Sequence, residues 1–93
     1  MNKYYFSHDV LLHQMKDEFV FFKIINNIID ISEIVFVSDI VANFYKYNRD
    51  SIFTIDEFTN FICSEYEVSF STAKRDVEDI VSKLEETKII ICE

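Results

Sequence analysis

Hydrophobic residues in the C-terminal half of the chain recur every three to four positions, the spacing of a helix that packs one face on a core. Thr54 followed by Glu57 has the spacing of a capping box and predicts the start of one helix. A second helix is predicted to begin near Ser69 or Ser71. The apolar positions of the two helices are Ile55, Phe58, Ile62 and Tyr66, then Ala73, Val77, Ile80, Val81 and Leu84.

The N-terminal part carries short runs rich in Phe, Val and Ile between polar residues, a composition typical of strands. Three runs are predicted to be strands: 10–14, 19–25 and 33–37. Turns are predicted at 15–17 and at Asn26-Asn27. Residues 1–8 are either a flexible start or a short edge strand, and 28–32 either extend a strand or form a wider loop.

A further helix is predicted after the third strand, with Ser38 as its cap. Its apolar positions are Ile40, Val41, Phe44 and Tyr45, and it ends within 48–51. Residues 89–92 form a terminal extended segment. The order predicts an α+β, winged helix-turn-helix-like fold: a three-stranded antiparallel sheet followed by three helices. We expect one domain over 1–93, with a β-meander in 1–37 and the three-helix part with a short terminal strand in 38–93.

The strands at 19–25 and 33–37 are apolar on both faces. In a small antiparallel sheet with one face exposed to solvent, apolar and polar residues should alternate along each strand. Three helices cannot cover both faces, so apolar surface or a strand edge should stay accessible. An added peptide strand would satisfy such an edge. Alternatively, the N-terminal segment covers the edge, and the pattern leaves both possibilities open.

Charge weighs against a nucleic-acid partner, because 17 acidic residues outnumber 9 basic ones and the net charge is −8. In a winged helix-turn-helix the helix at 71–87 would enter the major groove. Its exposed positions include Lys74, Arg75 and Lys83 but more carboxylates, so a DNA-binding transcription regulator is the weaker alternative. Gly and Pro are absent, which leaves Asn, Asp and Ser to form the turns.

No catalytic constellation, metal site or cofactor site is predicted. His8 and His13 lack the helical spacing of a metal pair, and Cys63 and Cys92 lack the spacing of a zinc site. The two thiols fit a reducing compartment, no secretory signal or membrane span is visible, and we expect a cytoplasmic protein that is not an enzyme.

Several ordered runs carry a resemblance to a known family: Thr54-Ile55-Asp56-Glu57-Phe58, Phe61-Ile62, Glu65-Tyr66-Glu67-Val68, Asp76-Val77, Ile80-Val81, Leu84 and Lys88-Ile89-Ile90. In this order, and with Phe36 to Val41 upstream, they resemble the PqqD family over about 33–91. Its members are the precursor-peptide recognition elements of ribosomally made, post-translationally modified peptides. The family usually has Gly where this chain has Lys88, and Asp-Gly where it has Asn48-Arg49-Asp50.

The resemblance implies that a precursor's leader segment adds as a strand to the sheet edge and lies against the last helix. It implies a peptide site on the third strand and that helix: Glu33, Ile34, Val35, Phe36, Val37, Ala73, Lys74, Arg75, Val77, Ile80 and Val81. Lys74 and Arg75 are expected to meet acidic leader residues. The expected partners are the leader peptide and a peptide-modifying enzyme such as a radical-SAM enzyme, a cyclase or a protease.

One further alternative is a structural interaction domain whose open edge pairs with a second copy, giving a homodimer. The start at Met1 and the end soon after the last strand favour a free-standing protein over a segment of a larger enzyme.

Overall fold

The computed structural model describes all residues from 1 to 93. Its elements, in chain order, are β1 (Tyr4–Phe6), β2 (Val10–Met15), β3 (Glu18–Ile25), β4 (Ile28–Val37), α1 (Asp39–Asn48), α2 (Ile55–Glu65), α3 (Phe70–Glu86) and β5 (Ile90–Cys92). The predicted α+β order of strands followed by three helices is confirmed. The chain adds one strand at the N-terminus and pairs it with the last one.

The strands form two sheets. The three-stranded antiparallel sheet has the order β2-β3-β4, and β1 pairs with β5 in a separate two-stranded sheet. Residues 4–6 therefore form a short edge strand, which was one of the two possibilities predicted for the N-terminus; the other was a flexible start. They do not cover β4, because main-chain hydrogen bonds of β1 and its flanking residues join Tyr4 to Phe53, Ser7 to Ile89 and Glu93 to Lys3.

Two short turns fold the three-stranded sheet without glycine. Ile25 pairs with Ile28, so Asn26 and Asn27 alone connect β3 to β4, and their φ angles are 53° and 64°. Two consecutive positive φ angles are the signature of a type I′ hairpin turn, in which Asn is well tolerated. The turn predicted at Asn26-Asn27 is confirmed.

Side-chain oxygens cap the N-termini of all three helices. Ser38, Thr54 and Ser69 accept hydrogen bonds from backbone N–H groups in the first turns of α1, α2 and α3. Thr54 and Glu57 form the reciprocal capping box, with distances of 3.1 and 3.2 Å. Each cap satisfies a donor that has no partner within the helix and contributes about 1 kcal/mol.

A single cluster of aromatic rings joins the helices to both sheets. Phe6 of β1 contacts the rings of Phe21 on β3, Phe44 and Tyr45 on α1, and Phe53. Phe44 stacks on Phe58 of α2 with a centroid distance of 3.8 Å. The apolar stripe of α3 completes this core through Ala73, Val77, Val81 and Leu84.

Candidate functional site

β4 is the edge strand of the three-stranded sheet, and β3 is its only strand partner. The N–H and C=O groups on the free side of an edge strand are available to pair with another extended chain. Of the two possibilities left by the sequence, an edge covered by the N-terminal segment is ruled out, since β1 pairs with β5. The exposed edge is thus a property of the folded chain.

Two neighbouring clefts lie beside α3: the smaller between α3 and the C-terminal end of β4, and the larger between α3, α2 and the start of α1. The smaller, of about 240 Å³, is lined by Val35, Phe36, Val37, Ser38, Val41, Ile80, Lys83 and Leu84. The larger, of about 470 Å³, is lined by Ser38, Ile40, Ile62, Tyr66, Val68, Ala73, Asp76, Asp79 and Ile80. Because Ser38 and Ile80 belong to both linings, we treat the two clefts as one surface, the β4–α3 groove.

The groove is apolar along its floor and charged along the helix. Val35, Val37, Ile40 and Ile80 are partly buried side chains packed against the core. Asp76, Asp79 and Lys83 are exposed, and none of them forms a salt bridge within the chain. An extended peptide could therefore bury apolar side chains in the clefts while its charged groups meet those of α3.

A third cleft, of about 470 Å³, adjoins the end of β4 and is bordered by Asp17, Glu18, Phe36, Val37, Ser38 and Asp39. It shares Phe36, Val37 and Ser38 with the lining of the smaller cleft of the groove. Its three carboxylates come from the β2–β3 turn, the start of β3 and the first turn of α1. The surroundings of the β4 terminus are consequently acidic.

The structure brings together part of the peptide site predicted on β4. Val35, Phe36 and Val37 line the groove, with Phe36 62% exposed. Glu33 instead accepts a hydrogen bond from the ammonium of Lys23 at 3.1 Å. Ile34, which pairs with Phe22, belongs to neither groove lining.

The predicted residues of α3 also divide into two groups. Ala73 and Ile80 line the groove, whereas Val77 and Val81 are buried in the core beneath it. Lys74 points elsewhere: its ammonium lies 3.2 Å from a carboxylate oxygen of Asp56, in a separate cleft with Met1, Asn2 and Tyr4. Arg75 is exposed and lines neither part of the groove.

Sequence reasoning missed Asp76, Asp79 and Lys83 because, among the charged positions of the helix, it assigned only Lys74 and Arg75 to the peptide site. A signal was present in their spacing. Asp76 lies four residues before Ile80, and Lys83 lies three residues after it. Residues at such spacings share one helical face. Ile80 is the only partly buried member of the apolar stripe, which marks this face as the border between core and solvent.

A second apolar surface lies on the side of the sheet that faces away from the helices. Register places Leu11, Phe22 and Ile34 side by side across the three strands. In the next row Phe36 is exposed, whereas its neighbour Val20 is fully buried. Leu11 is 39% exposed and Ile34 43% exposed. The accessible apolar surface expected from the two-sided strands is therefore present.

No group of three or more His, Cys, Asp or Glu side chains is arranged to hold a metal ion. Cys63 and Cys92 are free thiols, the first partly buried and the second exposed. None of the helices has the length and apolar character needed to cross a membrane. The groove combines apolar side chains, a free strand edge and charged groups, which are features typical of a binding surface.

Comparison with known proteins finds likeness at the level of structure. No protein-family model matches the chain, and neither does any curated protein. Among solved structures, TbiB1 in complex with the TbiA(beta) leader peptide matches with a TM-score of 0.69 and 19% identity, over 92% of this chain and 93% of that chain. Lasso peptide synthetase B1 complexed with its leader peptide matches with a TM-score of 0.69 and 20% identity, over 95% of this chain and 96% of that chain.

These likenesses extend over more than nine-tenths of each chain. At this level of identity they establish the fold. The α+β, winged helix-turn-helix-like fold predicted from the order of the elements is confirmed.

Proposed function

We propose that this chain binds the leader segment of a ribosomally made precursor peptide and presents it to a partner enzyme that modifies the peptide. The leader adds as a fourth strand on the free side of β4, and its side chains enter the β4–α3 groove. The role is one of recognition, without catalysis by the chain itself. The partner belongs to the class of peptide-modifying enzymes, such as a radical-SAM enzyme, a cyclase or a protease.

The observation that carries this proposal is the position of an unpaired strand edge directly beside an apolar groove. β4 has one strand neighbour, and Val35 to Val37 line the smaller cleft together with Ile80. Main-chain hydrogen bonds to an added strand provide affinity for any extended chain, whereas the clefts select among side chains. A groove of this kind distinguishes leader sequences without needing a deep pocket.

The structural neighbours support the same reading. Both are described as complexes with a leader peptide, and both match this chain over more than nine-tenths of its length. The residues that we assign to the site are those that line the groove, chiefly Val35, Phe36, Val37, Ala73 and Ile80. Val77 and Val81 would act from below, by fixing the position of the helix wall.

The proposal is tested by adding a synthetic leader, taken from a short reading frame next to the gene, to ¹⁵N-labelled protein. We expect NMR shifts concentrated in 33–41 and 73–84, and dissociation constants in the micromolar range or tighter. Ile80→Ser should weaken binding about tenfold or more, because burying an isoleucine side chain is worth about 1.5–3 kcal/mol.

Ile55→Ser is the matched control, since Ile55 is also a partly buried isoleucine packed on the core but lies in the separate cleft beside Lys74. It should leave the affinity within about twofold of the unaltered protein, a difference of under about 0.5 kcal/mol. Equal weakening by the two substitutions would count against the groove. An unchanged spectrum at millimolar leader would remove the proposal altogether.

Self-association is a second candidate, favoured by the open edge of β4 and by the exposed apolar side chains on the outer face of the sheet. Two copies could pair along β4 and form a continuous sheet. Sedimentation equilibrium as a function of concentration tests this. If the protein is still a monomer at about 100 μM, any dimer has a dissociation constant above that concentration, which is too weak for a functional dimer. That result would exclude a homodimer of physiological relevance.

A further inference from the structure

Negative charges outnumber positive charges around the groove. Five carboxylates line the clefts near the end of β4. Asp17 from the β2–β3 turn, Glu18 from the start of β3 and Asp39 from α1 line the cleft beside Val37. Asp76 and Asp79 from α3 line the larger cleft of the groove, which reaches this end through Ser38. Lys83 is the one cation in the lining of the clefts that border this end of the strand. An excess of fixed negative charge therefore surrounds the proposed path of the peptide.

These carboxylates are available to a ligand. All five are exposed, and none forms a salt bridge within the chain. Asp39, in the first turn of α1, is the one whose charge is partly balanced, by the positive end of the helix dipole. The other four have no such compensation from a helix N-terminus.

Three lysines of the chain have partners outside the groove. Lys74 pairs with Asp56 at 3.2 Å. Lys46 lies over the ring of Phe19 at 5.3 Å and borders a cleft beside β2. Lys23 pairs with Glu33 at 3.1 Å. None of these three lysines lines the groove.

We infer that the β4–α3 groove selects an extended peptide with basic side chains flanking its apolar residues, with at most one acidic residue, placed to meet Lys83. This inference rests on the proposed function and specifies the chemistry of the leader. The apolar clefts hold the uncharged side chains, and Lys or Arg on either side reach Asp76 and Asp79, or Asp17 and Glu18. The expectation that Lys74 and Arg75 meet acidic leader residues is replaced, since neither lines the groove.

The charge pattern should act mainly on the rate of encounter and on discrimination between peptides. Exposed charge pairs each contribute modestly to affinity, but several charges of one sign steer an opposite charge toward the site. Such steering is weakened by salt, because the Debye length falls to about 8 Å at physiological ionic strength. A preference for basic peptides should therefore be largest at low salt.

The test is a selection of random 12-residue peptides by mRNA display against the full chain at about 50 mM salt, where screening is weak. We expect the enriched sequences to combine apolar residues with more Lys and Arg than Asp and Glu, relative to the starting library. Enriched sequences that are neutral or acidic would overturn the inference while leaving peptide binding intact. Absence of any enrichment above a bead-only control would count against both the inference and the proposed function.

A pair of charge-matched variants then locates the effect. For the most enriched basic peptide, fluorescence anisotropy should show affinity about three- to tenfold weaker with Asp76→Asn/Asp79→Asn. The control Glu78→Gln/Glu85→Gln removes the same charge from the same helix at positions outside the groove lining, and should change affinity by less than about twofold. Equal effects of the two variants would mean that net charge alone attracts the peptide, and would overturn the assignment to the groove.

Discussion

Four residues other than glycine adopt positive φ angles, because the chain has no glycine to place there: Lys16, Asn26, Asn27 and Lys88. The two asparagines tolerate this region through local hydrogen bonding, but a lysine does not share that advantage. Lys88, with φ of 63°, follows the end of α3. Its N–H donates to Glu85 and the N–H of Ile89 donates to Leu84, at 3.0 and 2.8 Å, the pattern of a Schellman motif that normally ends in glycine.

Lys88→Gly should consequently stabilise the protein, by about 1 kcal/mol, since glycine adopts the left-handed conformation without a Cβ clash. The midpoint of thermal unfolding should rise by roughly 4–8 °C for a domain of this size. Ser82→Gly is the contrasting control: Ser82 lies exposed inside α3, where glycine should lower stability by about 0.5 kcal/mol or more. A fall in the midpoint with both substitutions would contradict the role assigned to Lys88.

At the scale of the element, β4 is a long strand with an irregularity at its centre. Phe22 pairs with Ile34 but Lys23 pairs with Asp30, so 31–33 bulge out of the ladder. The carboxylate of Asp30 accepts hydrogen bonds from the hydroxyl and the N–H of Ser32, at 2.6 and 2.9 Å. The bulge separates the hairpin end of β4 from the end that borders the groove. Beyond it, Val35 to Val37 pair regularly with β3.

The hydrogen bonds within the bulge affect proton binding by the carboxyl group of Asp30. The hydroxyl of Ser32, followed by its N–H and the charge of Lys23, lowers the pKa of Asp30. A carboxyl with a lowered pKa in the folded state stabilises that state at pH above its ordinary value, and the contribution is lost as pH falls through the folded value. Ser32→Ala should raise the pKa of Asp30 toward its ordinary value, as measured by NMR titration of the carboxyl group.

Ser64→Ala is a suitable control for that titration, because the Ser64 hydroxyl donates to the carbonyl of Phe61 and is remote from the bulge in sequence. It should leave the Asp30 titration unchanged. An Asp30 pKa unaffected by Ser32→Ala would mean that the backbone N–H alone holds the carboxylate.

For the molecule as a whole, β1 decides both stability and access to the site. Phe6 is fully buried and touches rings from β3, α1 and the link before α2. The same strand is held between β5 and Phe53 by main-chain hydrogen bonds. Because the two end strands pair with each other, neither of them covers the edge of β4.

Phe6→Ala should therefore be one of the most damaging single substitutions, costing about 3–5 kcal/mol through lost burial and the cavity that remains. Tyr5→Ala removes a ring from the neighbouring position, which is only partly buried, and should cost clearly less. Urea unfolding of the two variants checks the difference. Similar costs for the two would show that the strand pairing, not the Phe6 side chain, holds β1 in place.

Much of the local structure follows from residue chemistry that acts over a few positions. The caps at Ser38 and Thr54 and the turn at Asn26-Asn27 each depend on a side chain and its near neighbours. The apolar face of α3 likewise follows from spacing alone, and Ala73, Val77, Val81 and Leu84 are all buried. Such features are decided before any distant contact forms.

The site depended on information that spacing does not contain. Whether 28–32 continued the strand, and whether the N-terminus covered β4, were decided by pairings between residues far apart in the chain. The salt bridge between Lys74 and Asp56 exists only because α2 and α3 pack side by side.

The amino-acid sequence by itself determined the three helices, most of the three-stranded sheet, the caps and turns, and the acidic balance, because each arises from short-range chemistry or simple counting. Only the tertiary structure decided which strand edge stayed free and which charges of α3 faced it. The physical reason is that edge exposure depends on the order of strands within a sheet, and that order depends on which distant segments pair most favourably.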